Sequence, residues 1–183
     1  PTGATLANLL AQCGLRVAVI EREAAMYQLP RAVHFDGETM RVFQAVGIAD
    51  QLSEKVRVNP GMRFVAPDRN LLLAWPRPQE IGPQGWHASY RLHQPDLENL
   101  LREKLADNSN VVLRNNTEVI RVEETDKGVT LACRDTEDGH QTRIKAQYAV
   151  GCDGARSILR KEIGSGMEDL GFEERWLVID VLL

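Results

Sequence analysis

"PTGATLANLLAQCGLRVAVIERE", residues 1–23, has the form of a helix followed by a short strand that ends on an acid. Gly3 opens the helix, Ala4 to Gln12 carry it, and Gly14 stops it, because glycine accepts the left-handed backbone that closes helices. The apolar run Val17–Ile20 then delivers Glu21. This is how a dinucleotide-binding βαβ unit finishes. The helix start faces a pyrophosphate, and a strand-end carboxylate about 20 residues past the glycine loop holds a ribose hydroxyl. The beginning of such a unit, a strand and the first two glycines of G-x-G-x-x-G, is expected upstream of Pro1.

Composition narrows the partners. The chain has 183 residues, 43% of them hydrophobic, which suffices for a buried core, and a net charge of −4 that argues against a nucleic-acid partner. No apolar run approaches the roughly 20 residues of a membrane span. Cys13, Cys133 and Cys152 are odd in number and sit in apolar contexts, so they are expected to be reduced, buried residues of a cytoplasmic protein. His34, His87, His93 and His140 lack metal-ligand spacing, and no metal site is expected.

The remaining elements alternate in type. A loop centred on Pro30 leads to a helical pattern from Gly37 to Val46, closed by Gly47. "MRFVAPDRNLLLAW" (62–75) reads as a hairpin turning at Pro67–Asn70, and "GPQGWHASYRLHQ" (82–94) as a loop entering a strand. "QPDLENLLREKLADN" (94–108) places Leu97, Leu100, Leu101 and Leu105 on one helix face. A run of strands follows, "VVLRNNTEVIRVEET", "GVTLACRDTE" and "TRIKAQYAVGCDG", with a turn at Asp126–Gly128.

A second informative stretch is "YAVGCDGARSILRKEIG", residues 148–164. An expected strand, Tyr148–Val150, runs through Gly151 and Asp153–Gly154 into a helix, Ser157–Ile163. Small residues allow a ligand close to the backbone, and a helix start favours an anion. An ordinary strand-to-helix turn would use the same residue types.

Taken together, these stretches resemble class A flavoprotein aromatic hydroxylases, in particular the 3-(3-hydroxyphenyl)propionate and phenol hydroxylase type. "PTG" matches the end of that family's "GAGPTG" loop, "GCDGARS" its Asp-Gly motif, and "RLHQPDLENLL" a segment in which a polar residue before the helix touches FAD. The resemblance spans nearly the whole chain. It implies an α/β fold: a Rossmann-like, glutathione-reductase-type FAD-binding domain of three layers with an antiparallel β insert, plus the beginning of a β-rich substrate domain. Residues 1–57 and 93–165 would form the first, and 58–92 with 166–183 part of the second. A later "GDAAH"-like family motif has no counterpart after Gly154, and "FEERWLVIDVLL" (172–183) reads as the first strand of the substrate domain. The chain is therefore expected to be an internal piece of a longer flavoenzyme.

The resemblance also implies a reaction and site residues. The parent enzyme would hydroxylate a phenolic ring with dioxygen and NAD(P)H, through a C4a-hydroperoxyflavin. Gly3 would let the helix approach the pyrophosphate, and Glu21, with Arg22 beside it, would meet the adenosine ribose. Arg31 and Gln94 would lie along the flavin, and the backbone of Val119 would contact adenine. Asp153, Gly154 and Arg156 would form the Asp-Gly part of the cofactor site. Asp36 is the candidate base for the phenol proton, with His34 as its alternative; an aspartate at that place is equally a preferred helix N-cap. Two rival readings are a non-catalytic FAD- or nucleotide-binding fragment and a nicotinamide-only dehydrogenase. Against the latter, Asp-Gly follows an antiparallel run where further parallel βα units would be usual.

Overall fold

The structure is a computed structural model that describes residues 1–175, 177 and 179. Its elements, in chain order, are α1 (Thr2–Gln12), β1 (Val17–Ile20), β2 (His34–Asp36), α2 (Gly37–Val46), α3 (Ala49–Ser53), β3 (Arg57–Val58), β4 (Gly61–Val65), β5 (Leu71–Pro76), β6 (Ser89–Arg91), α4 (Gln94–Ala106), β7 (Val111–Arg114), β8 (Thr117–Thr125), β9 (Gly128–Asp135), β10 (Gln141–Ala146) and α5 (Ile158–Glu162). A single 3₁₀ turn, Gly154–Arg156, precedes α5.

The α/β expectation holds. β1 pairs in parallel with β7, Val17 opposite Val111 and Ile20 opposite Arg114. A parallel pair needs a long crossover, and here that crossover carries everything from Glu21 to Asn110. α1 packs on β1 and α4 on β7. The antiparallel insert is the sheet β10-β9-β8. A bulge between Val119 and Arg121 adds one residue to β8, which sharpens its twist. The expected hairpin is β4–β5, and a third sheet, β2-β6-β3, joins segments from both sides of the expected domain boundaries.

The core lies where α2, α3 and α4 meet β6. Met40, Val46, Leu52 and Leu101 are essentially inaccessible, and Phe43, Tyr90, Leu97 and Leu100 pack around them. The leucine spacing of α4 supplies one continuous apolar stripe to that core. Two amides tie α1 to it. The buried Asn8 donates Nδ2 to the Leu101 carbonyl at 3.1 Å, and Gln12 donates Nε2 to the Val46 carbonyl at 2.9 Å. At Gly37, a Cβ would stand 2.7 Å from the His87 carbonyl oxygen. The start of α2 can therefore sit against that loop only as glycine.

Several expectations need correction. Tyr148–Val150 forms no strand: no ladder partner lies beside it among the described residues, and Tyr148 and Val150 are exposed. β2, a short segment whose partner β6 is distant in sequence, falls in the expected Pro30 loop, and α3 and β3 lie in a stretch for which no element was expected. Cys13 and Cys152 are exposed, one at the C-cap of α1 and one in the Asp-Gly loop; only Cys133, on β9, is buried, where desolvation raises its thiol pKa against the opposing charge of Arg114. In the final stretch, residues 172–175, 177 and 179 are not in a strand; the rest of that expected strand lies outside the described residues.

Candidate cofactor site

The two sequence stretches that suggested a nucleotide meet in space. A Cβ built on Gly3 would lie 3.2 Å from Cβ of Cys152, so the first turn of α1 is packed closely against the Asp-Gly loop and a side chain there would need that loop to give by a few tenths of an ångström. That close approach is the expected use of a glycine at the head of such a helix. The first turn of α1 holds no acidic side chain. Its unpaired N–H groups and dipole leave a positive end suited to an anion.

The Asp-Gly loop is shaped by its own hydrogen bonds. Asp153 Oδ2 accepts from the Ile158 N–H at 2.7 Å, and Ser157 Oγ accepts from Arg160 N–H at 3.0 Å, so the two cap α5 in tandem. Partial burial pushes the Asp153 pKa up, but the Ser157 hydroxyl and the Ile158 N–H outweigh it, and the net direction is down. Gly154 has φ +73° with open space where a side chain would be. Arg156 is exposed. At Gly151 a Cβ would stand 2.8 Å from Cβ of Leu159, so any side chain there requires α5 or the loop to shift.

Glu21 sits at the end of β1, half-buried. Its backbone is pinned on both sides, donating to the Arg114 carbonyl at 2.8 Å and accepting from Thr117 N–H at 2.9 Å. One carboxylate oxygen accepts from Glu23 N–H at 3.0 Å. Arg22 is exposed and pairs through Nε with Glu23 Oε1 at 2.9 Å. Val119 lies on β8 opposite Cys133, two residues past the Thr117 that holds Glu21, so the ribose and adenine candidates are neighbours.

A third group forms around the Pro30 loop. Gln94, the first residue of α4, accepts through Oε1 from the N–H groups of Arg31 and Ala32 at 2.8 and 2.9 Å. The Arg31 guanidinium lies over the Tyr27 ring at 4.4 Å. The loop then enters β2, where His34 and Asp36, two apart, share one face. Asp36 Oδ1 accepts from Thr39 N–H at 2.8 Å as the N-cap of α2, and this bond holds its pKa below the usual value despite partial burial. β2 sets His34 opposite Arg91.

Sequence reasoning missed Cys152, Tyr27, Glu98 and Arg91. Glu98 was legible, being one helical turn past Gln94. The pairing of His34 with Arg91 had no local signal, since it depends on a strand match across more than fifty positions.

These residues fit FAD. A helix start without acids, an open positive-φ glycine beside it and a strand-end carboxylate are the parts that a pyrophosphate and a ribose require. Such a fold and site define a dinucleotide-binding domain of the flavoprotein type. The chain belongs to the FAD binding domain family, whose match spans residues 1–183. The protein of Rhodococcus jostii named "Probable NADH-specific resorcinol 4-hydroxylase" is 38% identical over 185 residues, covering 100% of this chain and 34% of that protein. A 3-(3-hydroxy-phenyl)propionate/3-hydroxycinnamic acid hydroxylase of Mycobacterium sp. is 35% identical over 99% of this chain and 31% of its own length. The crystal structure of p-nitrophenol 4-monooxygenase from Pseudomonas putida superposes with a TM-score of 0.79 at 25% identity, covering 90% of this chain and 41% of that one. The chain thus spans about a third of the length of the curated relatives it matches.

Proposed function

We propose that this chain supplies the FAD-holding part of an NAD(P)H-using monooxygenase that hydroxylates a phenolic ring with dioxygen. The observation that supports the reading is the close approach of Gly3 to Cys152, which brings the start of α1 against the Asp-Gly loop, while α1 also packs on β1, the strand that leads to Glu21. The names of the relatives, a resorcinol hydroxylase and a hydroxyphenylpropionate hydroxylase, point to a phenol as substrate. In the same reading, residues 1–57 and 93–165 serve the cofactor, and 58–92 with 166–183 serve the substrate. Nucleic acid and membrane have no part in it; among the described residues no helix is long and apolar enough to cross a membrane. A cytoplasmic setting suits three free cysteines.

When bound, FAD would supply the redox chemistry that activates dioxygen. The protein's share is binding, orientation and proton handling. The N–H groups at the start of α1 and the Gly154 loop hold the pyrophosphate, with Arg156 as the nearby cation. Asp153 acts by keeping that loop in shape. Glu21, next to Arg22, accepts from the adenosine ribose, and the Val119 backbone borders the adenine. Arg31 and Gln94 order the loop beside the flavin.

For the phenol proton, His34 is favoured over Asp36. Asp36 Oδ1 is already committed to the Thr39 N–H as the N-cap of α2, and that bond also lowers its pKa, so its carboxylate is the poorer proton acceptor. Removal of that proton raises the electron density of the ring to be attacked.

The reading is tested at Glu21. A hydrogen bond to a charged group contributes about 1.5–3 kcal/mol, so Glu21→Ala should weaken FAD at least about tenfold in a titration of apoprotein. Unchanged affinity would remove Glu21 from the site.

A further inference from the structure

The loop that carries Arg31 is fastened to α4 by one side chain. Gln94 Oε1 takes both the Arg31 and the Ala32 N–H, while Gln94 Nε2 donates to Glu98 Oε1 at 2.8 Å. All three bonds depend on which way the amide faces. Turned over, the amide would aim its NH₂ at two N–H donors and its oxygen at a carboxylate, losing every bond. Glu98, one turn along the same helix, is what makes the observed orientation the favourable one. The same Glu98 oxygen lies 3.7 Å from the Pro1 nitrogen, and its side chain is mostly covered.

We propose that Gln94 and Glu98 form an orientation pair: Glu98 fixes the Gln94 amide, and Gln94 holds the Arg31–Ala32 backbone where the flavin-side loop enters β2. Both are positioning residues, since they act on the cofactor through the loop. Leu92 N–H donates to the Val33 carbonyl at 3.1 Å, so the loop is stitched again just beyond the clamp. From that backbone the Arg31 guanidinium lies over the Tyr27 ring. The link to flavin rests on the function proposed above; the clamp itself does not.

A charge exchange separates this pair from a merely structural contact. Gln94→Glu keeps an acceptor toward the loop but sets two carboxylates against each other. Gln94→Glu with Glu98→Gln restores a donor facing an acceptor, with the roles reversed. Amide hydrogen exchange at Arg31 and Ala32, read by NMR without FAD, should speed up roughly tenfold in Gln94→Glu, because repulsion from Glu98 turns the new carboxylate away from the loop and one to two ordinary hydrogen bonds to it are lost. It should return to within about threefold of wild type in the double variant, and Glu98→Gln alone, which keeps its acceptor oxygen, should change little. FAD affinity should follow the same order. Exchange that ignores Gln94→Glu, or a double variant no better than the single one, would overturn the clamp. Exchange that follows the pattern while FAD affinity stays constant in all variants would overturn the placement of this loop at the flavin.

Discussion

Asp36 illustrates how one residue can fit two roles that only its hydrogen bonds separate. Its carboxylate closes the first turn of α2 on Thr39 N–H, and that bond depresses its pKa. The sign follows directly. A carboxyl with a lowered folded pKa adds stability that is complete above its ordinary pKa and fades as pH falls through the folded value. Asparagine caps nearly as well as aspartate but does not titrate. Asp36→Asn should therefore keep the fold within about 1 kcal/mol at neutral pH and flatten the acid limb of the stability curve. If the proposed function holds, turnover of Asp36→Asn in the full-length enzyme should remain near normal, while His34→Gln should slow oxygen transfer by roughly 10²-fold with FAD binding unchanged. A hundredfold loss in Asp36→Asn would return the base to Asp36. From sequence alone the two roles of Asp36 were inseparable, because an aspartate before a helix satisfies either description. The bond to Thr39 and its effect on charge are visible only in three dimensions.

At the scale of elements, legibility followed the range of the interactions. α1, α2 and α4 could be read because their signals are local: glycine and proline punctuation, leucines on one face. The hairpin β4–β5 was read for the same reason, its turn lying between its strands. β2 and β6 pair across more than fifty residues, so "LPRAVHFD" looked like loop until its partner was found. Tyr148–Val150 failed in the opposite way, being apolar enough for a strand but lacking a neighbour to complete it. The Asp-Gly loop shows what local spacing does convey. Its glycines are legible as small residues, and the structure adds what Gly151 avoids: a methyl group would stand 2.8 Å from Leu159 Cβ. Gly151→Ala should therefore push α5 away or bend the loop, at a cost of about 1–3 kcal/mol, as overpacking usually does. Urea denaturation measures the loss, and a shift below about 0.5 kcal/mol would mean that the loop yields freely.

Across the whole molecule, packing is uneven, and the site depends on the better-packed part. α4 is the common support: Gln94 at its start holds the Arg31 loop, Leu101 at its middle is wholly buried, and the Leu101 carbonyl receives Asn8 of α1. The hairpin β4–β5 is the contrast. Met62, Phe64, Leu71, Leu72, Leu73 and Trp75 are all exposed, and Leu72 retains 70% of its surface. Leu101→Ala should leave a cavity at the centre of the helical core and cost about 2–5 kcal/mol. That is a large share of the roughly 5–15 kcal/mol that keeps a domain folded. Leu72→Ser removes little buried surface and should stay within about 0.5 kcal/mol of wild type. The difference should also appear in function, because loosening α4 releases both the Gln94 clamp and the α1 tie, while the hairpin touches neither. Urea midpoints and amide exchange at Arg31 and Ala32 would be measured for both variants. The expected result is a lower midpoint with faster exchange in Leu101→Ala, and neither change in Leu72→Ser. Equal losses in the two variants would show that the hairpin and the helical core unfold as one unit, and that α4 has no special hold on the site.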